Sequence, residues 1–318
     1  MNQAVELTIV IVNWNGGELL RRCVESVLAY PPNVSYEIVV ADNASTDGSL
    51  EGVRTLAGPL RLIENGANLG FAKANNLAIA ASRAPWIFLL NPDAEVTPGA
   101  IDKLLAILQA DPKIGACAPR LLNTDGSLQP SVWRNPPNAL TILLEGWQLY
   151  RLLPARWRSE LLLGQHWGHD KQRNVTGFNG AAMFVRRSMI ENIGALDESF
   201  EMYGEDGEWC ARMRKHGWQL FFEPAAEVIH HGGQSALKRW TNHERRLQEI
   251  DAWFRYQKAV LSPLSFVCNT LTHALVMGGL RLKRALVRQP AEYLDAVMQL
   301  QVKYLKQSCR ELFGRGTP

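Results

Sequence analysis

Cysteine is scarce and unpatterned in this chain. Cys23, Cys117, Cys210, Cys268 and Cys309 are an odd number without a CxxC pair in 318 residues, so neither a disulfide framework nor a zinc site is indicated. Four common catalytic or nucleotide motifs are missing as well: GxGxxG after the first strand-like run, GxxxxGK[ST], GxSxG and HExxH. The dinucleotide dehydrogenase and P-loop readings lose their support with them. Val5–Val12 is a short apolar run with no basic residue before it, unlike a secretion signal. A reducing, cytoplasmic setting is therefore the expectation, and the sequons at Asn33, Asn43 and Asn174 read as chance. There is no internal repeat and no low-complexity tract. Hydrophobic residues make up 47% and charged residues 20%, which excludes a disordered or collagen-like chain.

Charge of one sign is concentrated rather than abundant. The chain is +3 in total, yet from Lys238 onward 14 Lys and Arg face 6 Asp and Glu, leaving −5 for everything before it. A slightly acidic body does not suit a nucleic-acid binder, so no nucleic-acid partner is expected. A basic tail is compatible with contact to anionic lipid.

What is present is an alternation of strand-like and helix-like runs. Val5–Val12 is β-branched and ends at Asn13-Trp14-Asn15-Gly16-Gly17; Leu19, Leu20, Cys23, Val24, Val27 and Leu28 follow at helical spacing. Glu37–Ala41, Leu60–Ile63 and Trp86–Leu90 read as further strands, Ala72–Ala81 as a helix, and Thr97-Pro98 as the cap and first residue of a helix whose apolar face is Ile101–Leu108. Such alternation implies an α/β fold with a doubly wound, mostly parallel sheet, whose ligands lie at the carboxyl ends of the strands. Ala181–Val185 and Leu220–Phe222 read as later strands, with a helix over Gly207–His216 between them.

Residues 130–176 show no clear period and contain Trp133, Trp147, Trp157 and Trp167. They read either as a loop-rich insertion with its own small core or as the wall of an acceptor site. From Thr241 the pattern is helical. Ala259–Leu280 is apolar but interrupted by polar residues, which is poor for a spanning helix. Arg281, Lys283, Arg284 and Arg288 follow it, so this stretch reads as a helix on a membrane interface, or as one packed on the body or on a second subunit in a homodimer. The expected division is a domain over 1–240, with halves at about 1–120 and 121–240, and a helical basic region over 241–318.

The polar clusters fall at strand ends. Asp42-Asn43-Ala44-Ser45-Thr46-Asp47-Gly48-Ser49 can accept from a nucleobase or ribose, although Asx-turn chemistry explains part of it. Asn68-Leu69-Gly70-Phe71-Ala72-Lys73 opens a helix with a lysine in its first turns, which suits an anion or plain capping. Asn91-Pro92-Asp93 ends a strand with a carboxylate fit for a hard divalent cation. Tyr203-Gly204-Glu205-Asp206 starts a helix, where acids also complement the dipole. His230-His231-Gly232-Gly233-Gln234-Ser235 looks like a ligand-bearing loop.

In this order, and with Gly180-Ala-Ala-Met-Phe-Val-Arg-Arg between them, these pieces resemble glycosyltransferase family 2, with the GT-A fold, over roughly residues 5–235, and within it the bacterial rhamnosyltransferase-type branch. The resemblance implies a nucleotide-sugar donor, Mg2+ or Mn2+, inversion at the anomeric carbon, and a saccharide or lipid-linked acceptor in cell-surface polysaccharide synthesis. It implies donor binding by Asn13, Asn15, Asp42, Asn43, Asn68, Gly70, Lys73, Asn91, Asp93 and Gly180. It assigns the metal to Asp93 and His230, with His231 as the second candidate, and catalysis to Asp206 with Glu205. The first acid of the family's DxD motif is here Asn91, which puts fewer charges on the metal. A dTDP-rhamnose-like donor is the expectation; UDP-galactofuranose, UDP-glucose or GDP-mannose, and a non-catalytic binding scaffold, are the alternatives.

Overall fold

The computed structural model describes residues 4–133, 136–200, 202–232, 241–287 and 292–313. Gly233, Gln234 and Ser235 of the expected loop, and Arg288 of the basic cluster, lie outside them. The chain divides into two compact units, Met1–Trp133 with Gly168–Arg239 and Arg134–Trp167 with Trp240–Pro318.

The first unit is built on one sheet. Strand β1 (Leu7–Asn13) is buried along its whole length, as the β-branched run LTIVIVN requires of a strand covered on both faces. It pairs in parallel with β2 (Tyr36–Asp42) and with β4 (Trp86–Leu90), and β2 pairs in parallel with β3 (Leu60–Glu64). The sheet continues through β9 (Ala182–Arg186), β6 (Ile114–Leu122), β10 (Gln219–His230) and β5 (Ala94–Val96) in the order 3-2-1-4-9-6-10-5. Two short strands, β7 (Leu128–Gln129) and β8 (Arg173–Val175), hang on β6 and β10. Strands β1 to β4, β6 and β10 share one direction; β9 and β5 reverse it. The carboxyl ends of β1, β2, β4 and β10 therefore line one edge, joined there by the start of β9 through the Leu90–Ala182 pair.

Helices cover the sheet where the apolar period is 3.6. Helix α1 (Glu18–Ala29) buries Leu20, Cys23, Val24 and Val27, and α4 (Ala100–Ala110) buries Ile101, Leu104, Leu105 and Leu108. Between them in sequence come α2 (Ser49–Arg54) and α3 (Phe71–Ala80). The helix expected from Thr97-Pro98 starts at Ala100 with Gly99 as its cap, and the Thr97 hydroxyl donates to the Glu227 carbonyl at 2.8 Å. Strand β10 runs past the expected end at Phe222. A bulge spans Glu223 to Glu227, where Pro224 cannot donate to the ladder, and pairing resumes to His230. That continuation carries His230 to the sheet edge.

The second unit is helical. Helices α5 (Ala139–Gly146) and α6 (Ala155–Leu161), with two 3-10 turns, group with the C-terminal helices rather than with the rest of the expected acceptor half. Packing explains the grouping: a Cβ on Gly146 would collide with the Val276 side chain, so the bare backbone of α5 lies directly on a C-terminal helix. Of the tryptophans, Trp167 is buried, while Trp147 and Trp157 are exposed. Between α6 and the C-terminal helices the chain returns to the first unit, where α7 (Arg187–Ile193) and α8 (Glu205–Lys215) fall.

Helix α9 (Asn242–Val260) opens with a capping box between Thr241 and Glu244, and α10 (Pro263–Leu286) with Ser262 as cap and Pro263 in its first turn. Helix α11 is Glu292–Phe313. Phe254, Phe266 and Tyr304 form the core of this unit, the rings of Phe254 and Tyr304 stacking at 5.3 Å. No helix among the described residues is long and apolar enough to cross a membrane.

One core histidine makes the helical unit sensitive to acid. His273 lies against the rings of Trp253 and Phe254, and its Nδ1 meets the Gln301 amide nitrogen at 2.5 Å. Burial lowers its pKa to about 4. The unfolded chain takes up this proton below about pH 6.5 while the folded chain does so only near its lowered value, so stability is full above that pH and is lost as pH falls between the two. The expected loss is of order 3 kcal/mol across the window. Unfolding followed by circular dichroism at pH 7 and pH 5 should show a smaller pH-induced decline in His273→Gln than in the unaltered chain; equal declines would contradict the assignment.

Candidate active site

The end of β1 is tied to the end of β2 by a buried amide. Asn13 is fully buried, and its Nδ2 lies 2.8 Å from Asp42 Oδ1, 3.0 Å from Ser45 Oγ and 2.9 Å from Ser49 Oγ. The two residues stand in register as the last pair of the ladder. The carboxylate of Asp42 also accepts from the Ser45 backbone N–H at 2.9 Å and hydroxyl at 2.6 Å. Asn15 accepts from the Thr46 N–H, and the Gly17 N–H donates to Asp47, so the loops after β1 and β2 are laced together. Gly16 is required here, since a Cβ on it would collide with Asn13 Oδ1.

A second lattice of amides extends this cluster. Asn43 donates to Asn68 Oδ1 at 3.3 Å and to the Gly70 carbonyl at 3.2 Å, and accepts from Asn65 at 2.9 Å. Asn68 in turn accepts from the Gly70 N–H. Asn13, Asn15, Asp42, Asn43, Asn68 and Gly70 are thus brought together, with Asn65, Ser45 and Ser49 added to those expected. Lys73 is exposed on α3, and among the described residues no hydrogen bond or ion pair ties it to this cluster.

Asp206 meets Gly180. The Gly180 N–H donates to Asp206 Oδ2 at 3.0 Å, and the Gly207 N–H to Oδ1 at 2.7 Å. A Cβ on Gly180 would stand 3.4 Å from the Cβ of Asp206 and 3.9 Å from the Phe71 ring, so the start of β9, the start of α3 and the start of α8 converge there. Burial raises the Asp206 pKa above the ordinary aspartate value, against the opposing effect of the two N–H donors. Glu205 is buried next to it in the first turn of α8. Glu208 is engaged otherwise, in a two-pronged pair with Arg212, with both contacts at 2.8 Å.

The third group lies at the ends of β4 and β10. His230 Nε2 is 3.3 Å from Asp93 Oδ1, and both side chains are buried. His230 Nδ1 is 2.6 Å from Gln129 Oε1, while the Gln129 amide nitrogen donates to the His230 carbonyl and to Asn123 Oδ1. The two acceptors fix the orientation of the Gln129 amide, so its oxygen accepts from Nδ1 and the ring presents Nε2 to Asp93. His230 Nε2 and Asn91 Oδ1 are both buried without a hydrogen-bond partner. His231 points elsewhere, to Glu95 at 2.7 Å, which also pairs with Arg22. The Asn91 N–H donates to the Ala181 carbonyl at 2.8 Å, which links this group to the Gly180–Asp206 group.

Gln129 was not foreseen from the sequence. The hairpin turn at Asp125-Gly126 was the available signal, but nothing local marks Gln129 as the partner of a histidine 101 positions later. No group of three or more His, Cys, Asp or Glu residues is gathered for a metal among the described residues.

The carboxyl edge of the sheet thus gathers a carboxylate-and-amide cluster, the Gly180–Asp206 contact and a facing Asp93–His230 pair. The family model described as Glycosyl transferase family 2 matches residues 8–194, and the chain belongs to that family. The chain is 33% identical over 258 residues to an N-acetylglucosaminyl-diphospho-decaprenol L-rhamnosyltransferase of Mycobacterium tuberculosis, covering 74% of this chain and 80% of that one. In fold it is similar to a mannosyltransferase from Pyrobaculum calidifontis in complex with GDP-Man and Mn2+ (TM-score 0.56, 17% identity, 98% of this chain and 88% of that one). It is also similar to GalNAc-T7 with UDP, GalNAc and Mn2+ (TM-score 0.53, 19% identity), where the match covers 71% of this chain and 43% of that one.

The buried amide of Asn13 gives a direct test of the site's architecture. Asn13→Ala leaves Asp42, Ser45 and Ser49 without their shared donor, which should cost about 1–3 kcal/mol in urea unfolding. A change below about 0.5 kcal/mol would show that the β1 and β2 ends do not depend on it.

Proposed function

We propose that this glycosyltransferase moves L-rhamnose from dTDP-rhamnose to a lipid-linked saccharide, with inversion at the anomeric carbon, in cell-surface polysaccharide synthesis. Support for the sugar and for the lipid-linked acceptor is the 33% identity to the mycobacterial rhamnosyltransferase over most of both chains. Support for the chemistry is the Asp206 carboxylate, held by two backbone N–H groups at the sheet edge.

Asp42, Asn13, Asn15 and Asn43 would receive the nucleoside, with Asn68 and Gly70 shaping the same pocket. Asp93 Oδ1 and His230 Nε2 would hold Mg2+ or Mn2+, with the Asn91 carbonyl oxygen as a neutral third donor. They fit that ion: two of the three atoms lack any donor, and Gln129 orients the histidine as an outer partner commonly does. Two or three protein ligands leave positions for diphosphate oxygens and water. When bound, the ion neutralises charge on the departing diphosphate, so no protein general acid is needed. Asp206 accepts the proton of the acceptor hydroxyl as its oxygen attacks the anomeric carbon and the bond to the diphosphate breaks on the opposite side. A raised pKa makes it a stronger base than an ordinary aspartate.

Asp206→Asn should retain donor affinity and lose turnover by more than about 100-fold. Unchanged turnover would remove Asp206 from the chemistry. Because its pKa is raised, the acid limb of kcat against pH should lie above the ordinary aspartate range, turnover falling as pH drops through it; a limb at or below that range would contradict this role. Asp93→Ala and His230→Ala should weaken Mn2+ binding measured by calorimetry, and equal Mn2+ affinity in all three proteins would place the ion elsewhere.

A further inference from the structure

The second unit carries an apolar face that its own fold leaves uncovered. Helix α10 buries Phe266, Asn269, Thr270, His273 and Val276 on one side. Its other side exposes Leu264, Leu271, Leu275 and Leu282, with Cys268 and Leu286 beside them. At helical periodicity these six fall within an arc of about 60°, along about 33 Å of helix. Trp147, itself exposed, borders the stripe, its indole nitrogen 3.2 Å from where a Cβ of Gly279 would be; the space at Gly278 is open. Of the fourteen exposed large apolar side chains among the described residues, eleven belong to this unit, although it is the smaller one. A continuous stripe of this kind marks an interaction surface rather than ordinary scatter.

Charge indicates what covers it. This unit has 16 Lys and Arg against 8 Asp and Glu, a net +8, which leaves −5 for the first unit. Helix α10 has no Asp or Glu in 24 residues and ends in Arg281, Lys283 and Arg284, all exposed. A second copy docked on this face would bring the same cations against Arg281, Lys283 and Arg284. Fluid acyl chains cover such a stripe without a matched surface, anionic headgroups complement the cations, and an exposed tryptophan suits the boundary between them. The helix is not apolar enough to span, so it would lie in the plane of the interface.

We propose that the Leu264–Leu286 face of α10, bordered by Trp147, docks the protein on an anionic lipid bilayer. This rests on the second unit alone and does not depend on the sugar or acceptor assigned above.

The test is co-sedimentation of the full chain with vesicles of phosphatidylcholine alone or with phosphatidylglycerol. The unaltered protein should pellet with the anionic vesicles, less so as salt rises. Leu271→Glu with Leu275→Glu should bind them at least about tenfold more weakly, with its circular dichroism and donor hydrolysis unchanged. A polarity-sensitive fluorophore on Cys268, in a Cys309→Ser background, should shift to the blue on anionic vesicles; this readout holds even if the double variant misfolds. The proposal is overturned if the unaltered protein stays in solution with anionic vesicles, if the fluorophore does not shift, or if both proteins pellet alike. It is also overturned if light scattering finds a dimer that the double variant alone disrupts while vesicle binding persists.

Discussion

The contact on which the site depends is the one between the Asn13 amide and the Asp42 carboxylate. It joins the last residues of two adjacent parallel strands, at the point where the ladder runs out of backbone partners. A carboxylate buried at 3% exposure needs donors, and Asn13, the Ser45 N–H and the Ser45 hydroxyl supply them. The same amide holds Ser49, the first residue of α2. One buried hydrogen-bond network therefore sets the entry of a helix, the path of two loops and the position of the Asp42 carboxylate.

The rest of the edge is assembled by topology rather than by local preference. Strand β9 runs against its neighbours, which brings its first residues, not its last, to the carboxyl edge. Gly180 and Ala181 thereby reach both Asp206 and Asn91. The bulge in β10 serves the same end. Without pairing beyond Pro224, His230 would not stand opposite Ala94 at the end of the sheet, and Asp93 would lack the ring it faces.

Much of this was legible in the sequence where a polar cluster closes a β-branched run. Asn13, Asp42 and Asn91 stand directly at the ends of such runs, and the period of α1 and the apolar face of α4 are plain. What was not legible depends on contacts distant in sequence. Gln129 is recognisable only once a hairpin lays it beside β10. The Thr97 hydroxyl bonds to a strand 130 positions later, a partner nothing local announces. The strand expected to end at Phe222 instead continues past Pro224, because a bulge takes the proline out of the ladder. The segment 134–167 shows no period because its helices are short and are stabilised by packing on the C-terminal helices, as the close approach of Gly146 to Val276 shows.

The proposed donor pocket would need a cation held by Asp93 and His230 at its diphosphate end. Calorimetric titration of the whole chain with dTDP-rhamnose and with UDP-, GDP- and other dTDP-sugars, in Mn2+ and again in chelator, tests this most directly. The account predicts binding of dTDP-rhamnose in preference to the others, lost or much weakened in chelator. Equal affinity with and without metal, or no binding of any nucleotide sugar, would contradict it.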